Sequence, residues 1–199
     1  AKIYKKYSSG RTPKEQTKAI NARTRILLKD LYGLMNGDLK KELKKHGFSF
    51  IKHEELTEAQ RALVDEIYLH NIYPVLTPMV VDSSRPFPLV TSETLNIAVL
   101  LEDKQSIEKH HVGTIQVPAV LDRFYYLPDA AEEKKTYILL EEILKYKIRE
   151  LFNAFDVLGC ASYRISRNAD LEYNEEEADD LLEVIKETIG ALPERAAWP

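Results

Sequence analysis

The 199-residue sequence has little cysteine, little glycine and no long apolar run, and each shortage excludes a class of protein. A single cysteine, Cys160, excludes an internal disulfide framework and fits a reducing compartment. The seven glycines form neither GxGxxG nor GxxxxGK[ST], so the usual phosphate-cradling loops are missing from the sequence. No stretch approaches the roughly 18 uncharged apolar residues of a membrane span. No apolar signal-peptide core follows the first residues either.

Charge is distributed unevenly along the chain, although the net value is only −4. Residues 1–52 carry 14 Lys/Arg and 4 Asp/Glu, a charge of +10, whereas residues 53–128 and 129–189 carry −6 and −8. The basic start has two interpretations: an ordinary solvated helix face, or a surface that faces a polyanion. We favour the first, because the basic residues between Lys14 and Lys45 surround the helix axis without interleaved exposed aromatic side chains.

Helix signals dominate the first part of the chain. Thr12-Pro13-Lys14-Glu15 combines an N-cap residue, proline at the first helical position and a capping-box glutamate, and predicts a long helix that stops at His46-Gly47. Residues 48–51 are predicted to be extended. A second capping box, Thr57 to Gln60, predicts a helix that ends near Ile72.

From Leu95 onward, the spacing of the apolar residues changes from the helical period to the alternation that is typical of strands. Strands are predicted at residues 95–101, 112–117, 124–127 and 157–167. An amphipathic helix is predicted after Lys134-Lys135-Thr136, and Asn174 is predicted to cap a last helix. The pattern predicts an α+β fold: a helical domain over residues 1–92, then an antiparallel sheet domain over residues 93–199 with helices packed on one face.

Side chains with the potential for chemistry are few. None of the five histidines has the spacing of a metal site with a cysteine or carboxylate, and His110-His111 are predicted to lie in a solvated loop. Cys160 is predicted to be a packed thiol rather than a nucleophile. The acidic run over residues 174–180 is better explained by helix capping than by cation binding. We therefore predict no catalytic and no metal-binding residue.

Arginines are the remaining candidates, because a guanidinium can bind a phosphate through two parallel hydrogen bonds. Arg164 or Arg167 could contact a phosphate chain, but the favoured alternative is that one of them pairs with Asp170 or Glu172 and orders the turn. Arg85 and Arg123 are further possible phosphate contacts. For these two, we favour the alternative that the side chain is exposed to solvent or stabilises a loop. The candidate phosphate contacts are thus Arg85, Arg123, Arg164 and Arg167.

Two stretches carry a resemblance to a known family. Residues 73–101, YPVLTPMVVDSSRPFPLVTSETLNIAVLL, place the X-Pro steps Thr77-Pro78, Arg85-Pro86 and Phe87-Pro88 in an extended crossing that leads into a strand. Residues 163–171, YRISRNADL, precede the acidic helix start YNEEEADDLL. In this order the stretches closely resemble polyphosphate kinases of the polyphosphate-synthesising, histidine-phosphorylated type. The resemblance runs from about Thr12 to Ile189; the ending GALPERAAWP departs from it.

The resemblance implies an enzyme that moves the terminal phosphate of ATP reversibly onto polyphosphate, with Mg²⁺ and a phosphohistidine intermediate. It assigns this chain to the end of the N-terminal helical domain and most of the head domain, which is associated with dimer formation and the polymer tunnel. The family's catalytic histidines, Mg²⁺-contacting arginines and most ATP contacts lie in two C-terminal domains that this chain does not contain.

From this resemblance we expect an inactive, scaffolding part of a homo-oligomeric kinase that binds no ATP or Mg²⁺ by itself. It is expected to be cytoplasmic, with peripheral membrane attachment left open, and to bind no nucleic acid. The alternative hypothesis is a stand-alone module whose basic N-terminal helix binds nucleic acid or another polyanion.

Overall fold

The computed structural model describes residues 10–81, 93–103, 110–128 and 134–165. In these ranges the helices are α1 Pro13–Leu34, α2 Lys40–Lys45, α3 Glu58–Ile67, α4 Leu140–Tyr146 and α5 Ile148–Leu151. The strands are β1 Phe48–Ile51, β2 Met79–Val81, β3 Asn96–Glu102, β4 His110–Gln116, β5 Phe124–Leu127, β6 Lys135–Leu139 and β7 Asp156–Tyr163. The predicted α+β class is confirmed. None of the described helices is long and apolar enough to cross a bilayer.

The chain divides into two compact units. The helical unit comprises Ala1–Ser49 with Ala131–Lys135, and the sheet unit comprises Phe50–Ala130 with Thr136–Pro199. The predicted domain boundary after residue 92 adjoins residues outside the described ranges, and it stays a prediction. The predicted helix capped by Asn174 also lies outside them.

The helical unit consists mainly of one long helical run that begins where the sequence predicts. The side chain of Thr12 accepts a hydrogen bond from the backbone N–H of Glu15, while Glu15 Oε2 accepts one from the Thr12 N–H at 2.8 Å. A π-helical turn, Met35–Leu39, joins α1 to α2. The run stops at Gly47, whose φ of 79° suits a residue without a Cβ atom. The predicted start and stop are therefore both confirmed.

The sheet unit is built around a four-stranded antiparallel sheet with the order β2-β4-β3-β7. At its centre, Val99 of β3 lies opposite Gly113 of β4 on one side and Cys160 of β7 on the other. Side chains alternate between the faces, so Val99 joins the main core with residues of α3, α4 and α5, whereas Ala98 packs in a smaller cluster formed by strand residues. The helices thus cover one face, as the alternating pattern predicts.

A second sheet has the order β1-β6-β5, and it corrects one prediction. An amphipathic helix is predicted after Lys134-Lys135-Thr136, but residues 135–139 form β6, which pairs antiparallel with β5 so that Tyr137 lies opposite Tyr126. Thr136 and Ile138 are buried and their neighbours are less so, which is the alternation of a strand. The amphipathic helix begins only at Leu140.

The histidine pair also departs from its prediction. His110 and His111 are the first residues of β4, opposite Glu102 and Leu101 of β3, rather than parts of a solvated loop. His110 is exposed and His111 is buried near the ring of Phe155 at a centroid distance of 5.8 Å. The two side chains point to opposite faces, as adjacent strand residues must.

Candidate functional site

The structure places the predicted arginines in separate surroundings. Arg164 follows β7 of the four-stranded sheet and is exposed. Arg123 directly precedes β5 of the other sheet. Arg85 and Arg167 lie outside the described residues, as does the turn in which Asp170 was considered as a partner.

The guanidinium of Arg123 donates two hydrogen bonds to a buried carboxylate. Its Nη2 donates to Oε1 of Glu141 at 2.5 Å and its Nε donates to Oε2 at 3.3 Å. Glu141 is the second residue of α4, and the backbone N–H of Leu140 donates to the carbonyl of Arg123 at 2.9 Å. The hydrogen bond to Glu141 raises the pKa of Arg123. This side chain therefore ties the loop before β5 to the start of α4.

A second cation, Lys147, joins the helices of the sheet unit. Its ammonium lies 2.7 Å from Oδ1 of Asp65 on α3 and 2.6 Å from Oε1 of Glu150, and it stands over the rings of Tyr68 and Tyr146. Burial alone lowers the pKa of Lys147, but the hydrogen bonds to Asp65 and Glu150 outweigh it and raise the pKa overall. The charge is thus retained inside the fold by paired carboxylates.

A further group of titratable side chains is the His53 group, which we define as His53, Glu54 and Glu142. His53 begins a short 3₁₀ turn after β1 and is only 6% exposed, while Glu142 is in the first turn of α4. Nδ1 of His53 lies 2.8 Å from Oε2 of Glu142 and 3.5 Å from Oε2 of Glu54. The group therefore joins the turn to α4.

Hydrogen bonds set the ionisation of Glu142 within this group. Lys145 Nζ donates to Oε1 of Glu142 at 2.8 Å. Burial alone raises the pKa of Glu142, but hydrogen bonds from His53 and Lys145 lower it to about 2, so this carboxylate is ionised at neutral pH. Cys160 on β7 is close enough to feel the charges of Lys145, Glu142 and Glu54, yet burial dominates and raises the pKa of its thiol to about 11. It is a packed thiol, as predicted.

Sequence reasoning did not find the His53 group, because Glu142 is separated from His53 by 89 positions. The adjacent His53-Glu54 pair was visible, but a histidine beside a glutamate is common on protein surfaces. The missing information was the packing of α4 against the 3₁₀ turn, which depends on the whole sheet unit.

Residues 59–193 match the family described as the polyphosphate kinase middle domain. Polyphosphate kinase of Exiguobacterium sibiricum is 42% identical over 178 residues, which cover 89% of this chain and 24% of that protein. Polyphosphate kinase of Halalkalibacterium halodurans is 38% identical over 181 residues, covering 91% and 26%.

A solved structure agrees with these relatives. The crystal structure of polyphosphate kinase from Porphyromonas gingivalis superimposes with a TM-score of 0.71 at 26% identity, covering 90% of this chain and 30% of that one. The chain thus spans about a quarter of the length of the curated relatives named above. With most of its length matched to the family's middle domain, the chain belongs to the polyphosphate kinase family.

Proposed function

We propose that this chain is the scaffolding and dimerisation portion of an enzyme that transfers the terminal phosphate of ATP to polyphosphate through a phosphohistidine. The observation that carries the proposal is the match of residues 59–193 to the polyphosphate kinase middle domain. The catalytic histidines and the groups that hold ATP and Mg²⁺ belong, on this proposal, to parts of the longer enzyme outside this chain. The enzyme is cytoplasmic and homo-oligomeric.

The charge pairing of the sheet unit supports a structural role. Phosphoryl transfer requires concentrated positive charge, usually with a metal ion, to stabilise the negative charge that spreads over the transferred group. In the described part of the sheet unit, Arg123, Lys145 and Lys147 are each bound to carboxylates. Because these cations are paired with carboxylates, their charge is largely neutralised, and their contacts stabilise the packing of the sheet unit.

Phosphate transfer by the isolated chain tests the proposal. The chain and the full-length protein that contains it are incubated in parallel with γ-labelled ATP, Mg²⁺ and a short polyphosphate primer. We expect labelled polymer and labelled protein with the full-length enzyme, and neither with the chain alone. Incorporation of label into the chain alone would overturn its assignment as a scaffold.

Arg85, Arg123, Arg164 and Arg167 are proposed as contacts to polyphosphate in the assembled enzyme. Two of these four, Arg123 and Arg164, lie in the described ranges. The exposed Arg164 is the stronger candidate, because the guanidinium of Arg123 is hydrogen-bonded to Glu141. Arg164→Gln in the full-length enzyme should raise the KM for polyphosphate several-fold and leave the KM for ATP unchanged. The exposed Arg149→Gln serves as the matched control. Equal KM values for Arg164→Gln and the wild type would exclude this contact.

The helical unit supports a second candidate, a module that binds a polyanion. The α1–α2 run buries none of its side chains and carries all nine Lys and Arg residues from Lys14 to Lys45. If it binds nucleic acid or another polyanion, the affinity should fall steeply as salt rises, because bound counterions are released. Absence of binding at low salt, measured with labelled single-stranded and double-stranded DNA and with polyphosphate, would leave only the scaffold.

A further inference from the structure

We propose that the His53 group binds one divalent transition-metal ion of the Zn²⁺ class. The group supplies an imidazole nitrogen and two carboxylate oxygens, and all three atoms lie within 4.8 Å of one another. These are ligand types that proteins use for zinc and its neighbours in the first transition row. Mg²⁺ prefers oxygen ligands and retained water, so the histidine selects against it. The site is independent of the proposed phosphate transfer.

The distances are close to those that such an ion requires. Zinc bonds of about 2.0–2.2 Å place neighbouring ligand atoms of a tetrahedral site roughly 3.4 Å apart. Nδ1 of His53 lies 3.5 Å from Oε2 of Glu54, which meets this spacing directly. Its 2.8 Å separation from Oε2 of Glu142 is a hydrogen bond, which has to open by roughly half an ångström when the ion replaces the shared proton. Three protein ligands leave a fourth position for water.

The surroundings favour a cation in this place. The other oxygen of Glu142 accepts a hydrogen bond from Lys145 Nζ at 2.8 Å, the kind of outer hydrogen bond that orients a ligating carboxylate. Two carboxylates and one ammonium give Glu54, Glu142 and Lys145 together a formal charge of −1. Glu54 is 48% exposed and gives the ion a route from solvent, whereas His53 and Glu142 are set deeper.

A purely structural account makes different predictions. Hydrogen bonds between His53 and the two carboxylates explain the same distances without a metal ion. A group held by hydrogen bonds alone should give neither a Co²⁺ spectrum that depends on Glu54 nor a rise in Tm on metal addition. A Co²⁺ titration with thermal unfolding followed in parallel therefore distinguishes a metal site from a purely structural group.

Co²⁺ is a suitable probe, because its visible absorption reports the ligands around it. Metal-stripped, tag-free protein is titrated with Co²⁺ and then with Zn²⁺, and thermal unfolding is followed in parallel. We expect one Co²⁺ per chain, its displacement by Zn²⁺, and a rise in Tm on metal addition, because a ligand that binds the folded state stabilises it.

Glu54→Gln is the decisive variant, because this half-exposed side chain can be changed with little risk to the fold. It should weaken Co²⁺ binding at least about tenfold and abolish the rise in Tm. The control is Glu66→Gln, an exposed glutamate on α3, which should bind Co²⁺ like the wild type. Binding that Glu54→Gln leaves unchanged would show an adventitious ion only, and absence of a Co²⁺ spectrum would equally overturn the proposal.

Discussion

The ring of Phe152 lies directly against the backbone of Gly113 in β4. A Cβ atom on this glycine would stand 2.7 Å from Cε1 of the ring and 3.1 Å from Cδ1 of Leu101. Phe152 is itself buried in the main core, so the ring has little room to withdraw. The absence of a side chain at this position is what allows α5 and the turn after it to pack on the sheet.

Gly113→Ala should therefore destabilise the sheet unit by about 1–3 kcal/mol through overpacking, measured as a shift of the urea unfolding midpoint. Gly33→Ala is the control, since a Cβ there meets nothing within 4 Å and alanine favours a helix interior by about 1 kcal/mol. Combining Gly113→Ala with Phe152→Leu should recover part of the loss. A wild-type midpoint for Gly113→Ala would show that the ring moves aside freely.

The forked contact between Arg123 and Glu141 should contribute measurably to stability. Arg123→Gln leaves the buried carboxylate without its charged partner and should cost about 1–3 kcal/mol in the free energy of unfolding. Arg123→Lys should recover only part of this loss, because an ammonium cannot reproduce two parallel hydrogen bonds. Arg164→Gln, at an exposed position, should stay within about 0.5 kcal/mol of the wild type. If Arg123→Lys were as stable as the wild type, a positive charge at this position would be sufficient and the two parallel hydrogen bonds would not be needed.

Lys147 should make stability fall at alkaline pH. Its pKa is raised in the folded state, so its contribution is fully present below the unfolded value of about 10.4 and is lost as pH rises through the higher folded value. We expect Lys147→Met to be less stable than the wild type by about 1 kcal/mol near neutral pH, since the partners are half exposed.

The difference in unfolding free energy between wild type and Lys147→Met should then shrink above about pH 10. Lys40→Met, which removes an exposed lysine from α2, controls for the loss of a positive charge. A difference that is constant from neutral to strongly alkaline pH would show that packing of the lysine stem, rather than its charge, stabilises the fold.

Cys160 should react slowly with alkylating agents. Burial raises the pKa of its thiol to about 11, so at about pH 8 the thiolate fraction is roughly 100-fold lower than for an unperturbed thiol. The iodoacetamide rate of the native protein should keep rising well beyond about pH 9, whereas the urea-unfolded protein should react as a free thiol does. A plateau of the native rate at or below that pH would contradict the assigned environment.

Features that depend on nearby residues were predictable from the sequence. The capping boxes at Thr12 and Thr57 are both formed, and β3 lies within one residue of its predicted position. Each of these signals lies within a few residues of the element it defines, so hydrogen bonding or alternation suffices to identify it. The α+β class follows from the change of period near Leu95.

Features that depend on packing were not predictable. β6 was missed because its apolar residues continue without a break into those of α4, and only pairing with β5 distinguishes strand from helix. The His53 group was missed because its members come from elements that only the folded sheet unit brings together. The prediction that no histidine belongs to a metal site was based on spacing along the sequence. His53 and Glu142 are 89 positions apart and come together only in the folded chain.

The position of β3 in the four-stranded sheet has a consequence for synthesis of the protein. β3 bonds to β4 along one edge and to β7 along the other, and β7 is reached only after α4 and α5 have been made. On the ribosome, the nascent chain therefore exposes one unpaired edge of β3 until Tyr163 has emerged. An open apolar edge is a template for pairing with other chains, so this interval is when the growing polypeptide most needs protection by chaperones.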